Sequence, residues 1–282
     1  MAVTYESLMA LQRKDLSVAY TREDAMLYAL SVGMGADGPD EQALPFVYEG
    51  RPMRTVPSMA TVLMRAPVPE SGVDFRRLLH GEQRLTMHRD IPPEGTLLVD
   101  AGVSRVVDKG PEKGSVVVFE SRARTAQGEP VFTAQTVMLA RGDGGIGGPA
   151  GSLPAPHAIP LRAPDSTLRI ATRPDQALLY RLNEDRNPLH VDPRFAQRAG
   201  FPAPILHGLC TYGLICSALI KHVLHGDASR MEAFDVRFAS PVYPGDVLAL
   251  ELWTDDGTVS FRCRAQQRDQ VVIDNGRCRL RS

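Results

Sequence analysis

The sequence is poor in cysteine. Its four cysteines, at positions 210, 216, 263 and 278, include no C-x-x-C pair, which removes the usual spacing of a zinc or dithiol redox site. Cys263 and Cys278 sit in alternating apolar runs and read as core residues, so free thiols in a reducing compartment are expected. Charge of one sign is also missing. Thirty-two Lys and Arg against 33 Asp and Glu leave a formal net charge of −1, so no global field draws the chain to nucleic acid or to an anionic membrane. One local basic stripe, at Arg76, Arg77, His80, Arg84, His88 and Arg89, is either a charged patch or an ordinary solvated face. No apolar run approaches the ~18 residues of a spanning helix. The N-terminal MAVTYESLMALQRKDL lacks the basic-then-apolar order of a secretory signal, and Leu280-Arg281-Ser282 matches no retention or peroxisomal address. A cytoplasmic protein with no membrane partner is the resulting expectation.

What is there is an ordinary globular mixture, 43% hydrophobic and 23% charged over 282 residues, enough for one large domain or two small ones. The stretch 140–156, ARGDGGIGGPAGSLPAP, has no apolar periodicity and reads as a linker. The residues on its two sides resemble each other in the same order. TRED before AMLYAL (from Thr21) matches TRPD before QALLYRL (from Thr172). PEGTLL (from Pro93) matches PGDVL (from Pro244), and the run from Gly114 to Leu139 matches the run from Gly257 to Leu280. An ordered internal repeat points to a duplicated domain, with halves expected at 1–140 and 159–282 and a linker at 141–158.

Val259, Phe261, Cys263 and Ala265 alternate with polar residues, as do Gly276, Cys278 and Leu280 with Arg277, Arg279 and Arg281. With a polar turn at 267–270 between them, this predicts an antiparallel hairpin with arginines facing water. From Gly208 to about Leu224 the chain is apolar on nearly every side, so it predicts a helix that must be covered all round. The first half has a weaker counterpart in the stretch beginning Pro57-Ser58-Met59. A long helix wrapped by an antiparallel sheet makes each half an α+β unit.

The segment from Tyr180 to Gly208 carries the chemistry. Asp175 is the expected cap of a helix running to Leu182. Asn187-Pro188 reads as a cap followed by a first-turn proline, and Asp192-Pro193 opens a short helix that stops at Gly200. Asp185 and His190 then bracket a tight turn and can converge on one point. The residues alone leave three readings open: an acid–base pair, a turn capped by Asp185 and Asn187 with His190 packed beneath it, or a metal site of Asp185, His190 and His207. The last lacks a fourth ligand and a recognised spacing.

Tyr180, Leu182, Asp185, Asn187-Pro188-Leu189-His190, Asp192-Pro193, Gly200-Phe201, Pro204-Ile205-Leu206-His207-Gly208 and the run FASPVYPG from Phe238 to Gly245 together resemble the signature of the MaoC-like, or type 2, enoyl-CoA hydratases. The first half resembles that of the two-hot-dog members through 28–33, 48–50, 79–83 and 108–110. This resemblance implies a tandem (double) hot-dog fold. It implies a hydro-lyase that adds water to a trans-2-enoyl-CoA to give the (3R)-3-hydroxyacyl-CoA, in fatty-acyl-CoA metabolism such as β-oxidation. It implies Asp185, His190, Asn187 and Gly208 as catalytic residues, Asn187 orienting the water or the aspartate by its side-chain amide. Gly208, at the start of the apolar helix, would offer its N–H to the thioester oxygen. His80, Gly81, Lys109 and Phe238 would bind substrate, Lys109 at the phosphates or ribose of CoA. The first half, lacking the Asp-x-Asn-Pro-x-His pattern, would be a binding lobe. No metal and no cofactor beyond the substrate's own CoA is implied, and a homodimer is. The family's Ser-Gly before the aspartate is Asn183-Glu184 here, and a glutamate turned inward would raise the pKa of Asp185. A hot-dog acyl-CoA thioesterase and a non-catalytic acyl-CoA-binding protein are the competing functions.

Overall fold

The computed structural model describes residues 3–38 and 40–281. Ten strands form one antiparallel sheet: β1 (Gln12–Tyr20), β2 (Leu78–Met87), β3 (Gly95–Asp108), β4 (Ser115–Arg124), β5 (Pro130–Ala140), β6 (Ser166–Ala171), β7 (Met231–Phe238), β8 (Val247–Asp255), β9 (Thr258–Ala265) and β10 (Gln270–Leu280). Their lateral order is β1-β3-β4-β5-β2-β7-β10-β9-β8-β6. Each half therefore contributes the same five-strand order, run in opposite directions away from the centre. This is the duplicated arrangement expected from the repeat and the tandem hot-dog fold that the family resemblance implies.

The halves join where β2 pairs with β7. Arg84 stands opposite Asp235 and Glu82 opposite Arg237 on one face, while Leu85 meets Phe234 on the other. The outward pairs are of opposite charge and the inward pair is fully buried, which fixes the register because a one-residue slip would exchange the faces.

The helices are α1 (Tyr5–Met9), α2 (Arg22–Ser31), α3 (Leu44–Val47), α4 (Ala60–Leu63), α5 (Gln176–Tyr180), α6 (Pro193–Arg198) and α7 (Gly208–His222). The all-apolar segment of the second half is α7, with an unbroken buried run from Cys210 to Ile220. Its covering comes from both halves. Tyr212 donates its hydroxyl hydrogen to the Phe234 carbonyl of β7 at 2.8 Å, and a Cβ at Gly213 would sit 2.3 Å from Val32 Cγ1. The first-half counterpart is much shorter: a 3-10 turn, Pro57–Met59, running into the four residues of α4. The main hydrophobic cluster spans both halves and includes α7, so the second half's helix packs into the space that the first half's short turn leaves.

The predicted hairpin is β9–β10. Its arginines are paired rather than free: Arg262 with Asp274, Arg264 with Glu251, Arg277 with Asp235 and Arg279 with Glu232. All four cysteines are free and buried. The basic stripe is broken up, with Arg76, Arg77 and His88 left exposed. Arg84 pairs with Glu82 and Arg89 with Glu129, and His80 turns inward. Residues 141–165 contain no helix or strand, yet this stretch is held down. The Asp108 carboxylate accepts the N–H groups of Gly145 and Gly147 at 2.9 Å each, and Asn275 donates to the His157 carbonyl at 2.7 Å. No helix among the described residues is long and apolar enough to cross a membrane.

Candidate active site

The 183–190 turn is built as its sequence suggests. Asn187 Oδ1 accepts the Leu189 N–H at 3.0 Å and caps a 3-10 turn over Pro188–His190. Asp192 then accepts the N–H of Arg194 at 2.8 Å and starts α6. The expected cap at Asp175 is the exception. Asp175 occupies the N-cap position of α5 but makes no cap bond, because its carboxylate is engaged by Arg173 at 2.7–2.8 Å. Asn187 also differs from expectation. Its side-chain oxygen is spent on the turn, and it is the backbone N–H of Asn187 that meets Asp185 Oδ1, at 3.3 Å.

Asp185 and His190 do converge, and His207 joins them. One ring nitrogen of each histidine and one carboxylate oxygen of Asp185 lie within 4.8 Å of one another. His190 Nδ1 lies 2.9 Å from the Ile205 carbonyl. A carbonyl can only accept, so Nδ1 carries the hydrogen and Nε2 of the neutral ring is left as a lone-pair acceptor. Burial pushes the His190 pKa down, against the Ile205 bond and the Asp185 charge, which favours that neutral form. His207, at the N-cap of α7, reaches the backbone carbonyl of Asp185 with Nε2 at 3.3 Å. Burial and the neighbouring His190 push its pKa down to about 4.

The two imidazoles stack, with centroids 3.8 Å apart and planes at 27°. Two imidazoles bound to one zinc radiate from it with centroids about 5 Å apart, so the stack is poorly arranged for shared coordination. His207 in turn packs on the buried Tyr180 ring at 5.0 Å, which locks the histidine pair from behind.

The first half completes the wall. The register of β2 against β5 shifts between His80 and Glu82, leaving Gly81 as the extra residue of a bulge, a device that re-aims a neighbouring side chain. A Cβ at Gly81 would meet Leu139 Cγ at 3.2 Å and the Val137 carbonyl at 3.4 Å. His80 packs on Phe238 with centroids 4.7 Å apart. Burial brings its pKa down to about 4, against the Glu82 carbonyl, Gln83 and the charge of Asp185. Phe238 in turn lies over Gly208, where a Cβ would stand 3.2 Å from Phe238 Cε1. Gly208 is the first residue of α7, and the first N–H of a helix has no partner within it. Asp185, His190, Gly208, His80 and Phe238 therefore surround one locus.

The chain belongs to the MaoC-like hydratase 2 family. A family model described as "MaoC like domain" matches residues 157–275, and one described as "MFE-2 hydratase 2 N-terminal domain" matches residues 18–142. The chain is 35% identical to enoyl-CoA hydratase ChsH3 of Mycobacterium tuberculosis, covering 98% of each protein. It is 38% identical to mouse (Mus musculus) peroxisomal multifunctional enzyme type 2 over 92% of its own length, but spans only 36% of that longer protein. The crystal structure of a MaoC-like dehydratase from Phytophthora capsici superposes with a TM-score of 0.87 at 30% identity, covering 99% of this chain and 98% of the other.

One expected residue stands apart from this site. Lys109 is exposed on the turn between β3 and β4, where its N–H donates to the Gly114 carbonyl. Two strands separate β3 from β2, a lateral distance of about 14 Å. Glu184 does not turn toward Asp185. It is exposed and pairs with Arg65.

Sequence reasoning undervalued His207, which it weighed only as a metal ligand. The signal was its place immediately before Gly208. It missed Arg65 altogether, because nothing local marks that residue.

Proposed function

We propose that the protein hydrates trans-2-enoyl-CoA thioesters to (3R)-3-hydroxyacyl-CoA and catalyses the reverse dehydration. The observation that carries this reading is the 2.9 Å contact of His190 Nδ1 with the Ile205 carbonyl: it commits Nδ1–H and leaves Nε2 an acceptor on a ring gathered with the Asp185 carboxylate. In this reading a water molecule gives one proton to His190 Nε2 while its oxygen bonds to C3. Asp185 accepts the water's second O–H and stabilises the imidazolium as it forms. The electron pair of the C2–C3 double bond moves toward the thioester oxygen, and the proton on His190 is then delivered to C2. Atoms and charge balance without a further reactant.

The transient enolate oxygen needs a donor. The Gly208 N–H and the positive end of the 15-residue α7 suit that task, and a preorganised donor of this kind contributes about 3–4 kcal/mol. The lack of a side chain at Gly208 lets the thioester approach under Phe238. His80, neutral and packed on Phe238, walls the pocket. Gly81 shapes that wall through its bulge, and Lys109 meets the phosphate end of CoA, away from the reacting carbons. Asn187 serves through its backbone N–H. No metal or separate cofactor takes part. We further propose two domains, 1–140 and 159–282, joined by a linker at 141–158, and a cytoplasmic homodimer, the four unpaired thiols suiting a reducing compartment.

Incubation with crotonyl-CoA tests the reaction. Hydration removes the enoyl-thioester absorbance without releasing thiol. Release of free CoA would replace this reading with a thioesterase, and tight binding without turnover would replace it with a carrier.

A further inference from the structure

Arg65 and Glu184 share an unusual backbone state. Their φ angles are +50° and +77°, in the left-handed region that side chains other than glycine rarely adopt. They come from different halves, 119 positions apart in sequence, and the Arg65 guanidinium meets the Glu184 carboxylate at 2.5 Å. The residue before Glu184 is also held by the first half. Asn183 Nδ2 donates to Ser31 Oγ at 2.9 Å, and Ser31, at the end of α2, is fully buried. The residue after Glu184 is Asp185. The approach to the carboxylate is therefore gripped at two consecutive positions by the half that lacks the Asp-x-Asn-Pro-x-His pattern.

Stability alone does not account for this arrangement. The two side chains are 37% and 67% exposed, and ion pairs so open to water contribute little. Strained residues of this kind persist where the surroundings over-determine them, and they cluster at functional sites.

We propose that Arg65 is a positioning residue: its ion pair holds Glu184 in the left-handed conformation and so fixes the Asp185 carboxylate relative to His190. The first half is thereby part of the catalytic apparatus and not only a binding lobe. The role depends on the hydration reading for its kinetic readout.

The test is a double-mutant cycle with a second, activity-independent arm. Glu184→Gly supplies a residue that visits the left-handed region freely and removes the partner of Arg65. In the otherwise native chain, Arg65→Ala should lower kcat about two- to fivefold with KM unchanged. It should also speed amide hydrogen exchange over 183–190. In the Glu184→Gly background the same substitution should change neither. The swapped pair Arg65→Glu with Glu184→Arg should recover kcat relative to either single swap. Turnover at the native rate in Arg65→Ala, or an equal loss in both backgrounds, overturns the proposal. If the native protein hydrates no enoyl-CoA, the hydration reading fails, and the exchange measurement alone decides: protection over 183–190 unaltered by Arg65→Ala overturns the positioning role.

Discussion

The ring of His190 lies stacked on that of His207, 3.8 Å between centroids, and each histidine is tied to a backbone carbonyl of the other's segment: His190 to Ile205 and His207 to Asp185. The reciprocal ties cross-link the 183–190 turn to the chain entering α7. They also set both tautomers, because a carbonyl accepts and never donates. The base and the helix terminus are thus registered against each other before any substrate arrives, the condition for electrostatic preorganisation.

Removing either member of the acid–base pair should separate catalysis from folding. Asp185→Asn and His190→Gln are each expected to lower the hydration rate by about 10²- to 10⁴-fold. Thermal unfolding of Asp185→Asn should move little, because among the described residues its carboxylate accepts one weak bond, at 3.3 Å, whereas His190→Gln also loses the stack on His207 and should unfold somewhat earlier while keeping the fold. Full activity in Asp185→Asn, measured by loss of enoyl absorbance, would remove the carboxylate from the mechanism.

Acid should destabilise the protein through its buried histidines. The folded pKa of His207 is about 4 and that of His80 about 4, against about 6.5 when unfolded. Between these values the unfolded chain binds more protons, so stability is complete above about pH 6.5 and declines as pH falls toward 4. Urea midpoints measured from pH 7.5 to pH 4.5 should fall across that window, and His207→Gln should flatten the slope. The hydration rate should likewise fall as His190 protonates, at a pH below the ordinary histidine value, since burial holds its pKa down.

A methyl group at Gly208 should obstruct the thioester oxygen. Gly208→Ala places Cβ 3.2 Å from Phe238 Cε1 and in the approach to the first N–H of α7. Alanine favours the helix by about 1 kcal/mol, which offsets part of the crowding, so the fold should survive. A fall in kcat of about 10²-fold or more is expected. Native kcat in this variant would argue that the glycine serves only helix–sheet packing.

Lys109 should act on the CoA moiety alone. Lys109→Ala is expected to raise KM for an enoyl-CoA several-fold while leaving kcat unchanged, and to have no effect on the corresponding enoyl-pantetheine thioester, which lacks the nucleotide phosphates. Equal effects on both substrates would place the lysine outside phosphate recognition.

Legibility in the sequence followed the range of the interactions. The β9–β10 hairpin, the turn capped by Asn187, the helix opened by Asp192 and the buried α7 depend on neighbours a few positions away, and their residue patterns expose them. Asp175 looked like a cap from the same local logic, but Arg173 competes for its carboxylate. His80 looked like part of a basic face, because the Gly81 bulge that turns it inward is a property of the β2–β5 register. Glu184 looked like an intruder beside Asp185, because its partner Arg65 lies in the other half.

By itself the sequence determined the duplicated α+β pattern, the apolar helix and the proline turn that brings Asp185 near His190, since periodicity and capping act through the local chain. Tertiary structure alone decided that His207 stacks on His190, that His80 and Phe238 close the pocket over Gly208, and that Arg65 anchors Glu184. The His190–His207 and Phe238–Gly208 contacts form within the second half between segments that the chain must fold back to bring together, whereas His80–Phe238 and Arg65–Glu184 join residues more than a hundred positions apart and need the docking of the two five-stranded halves along β2 and β7.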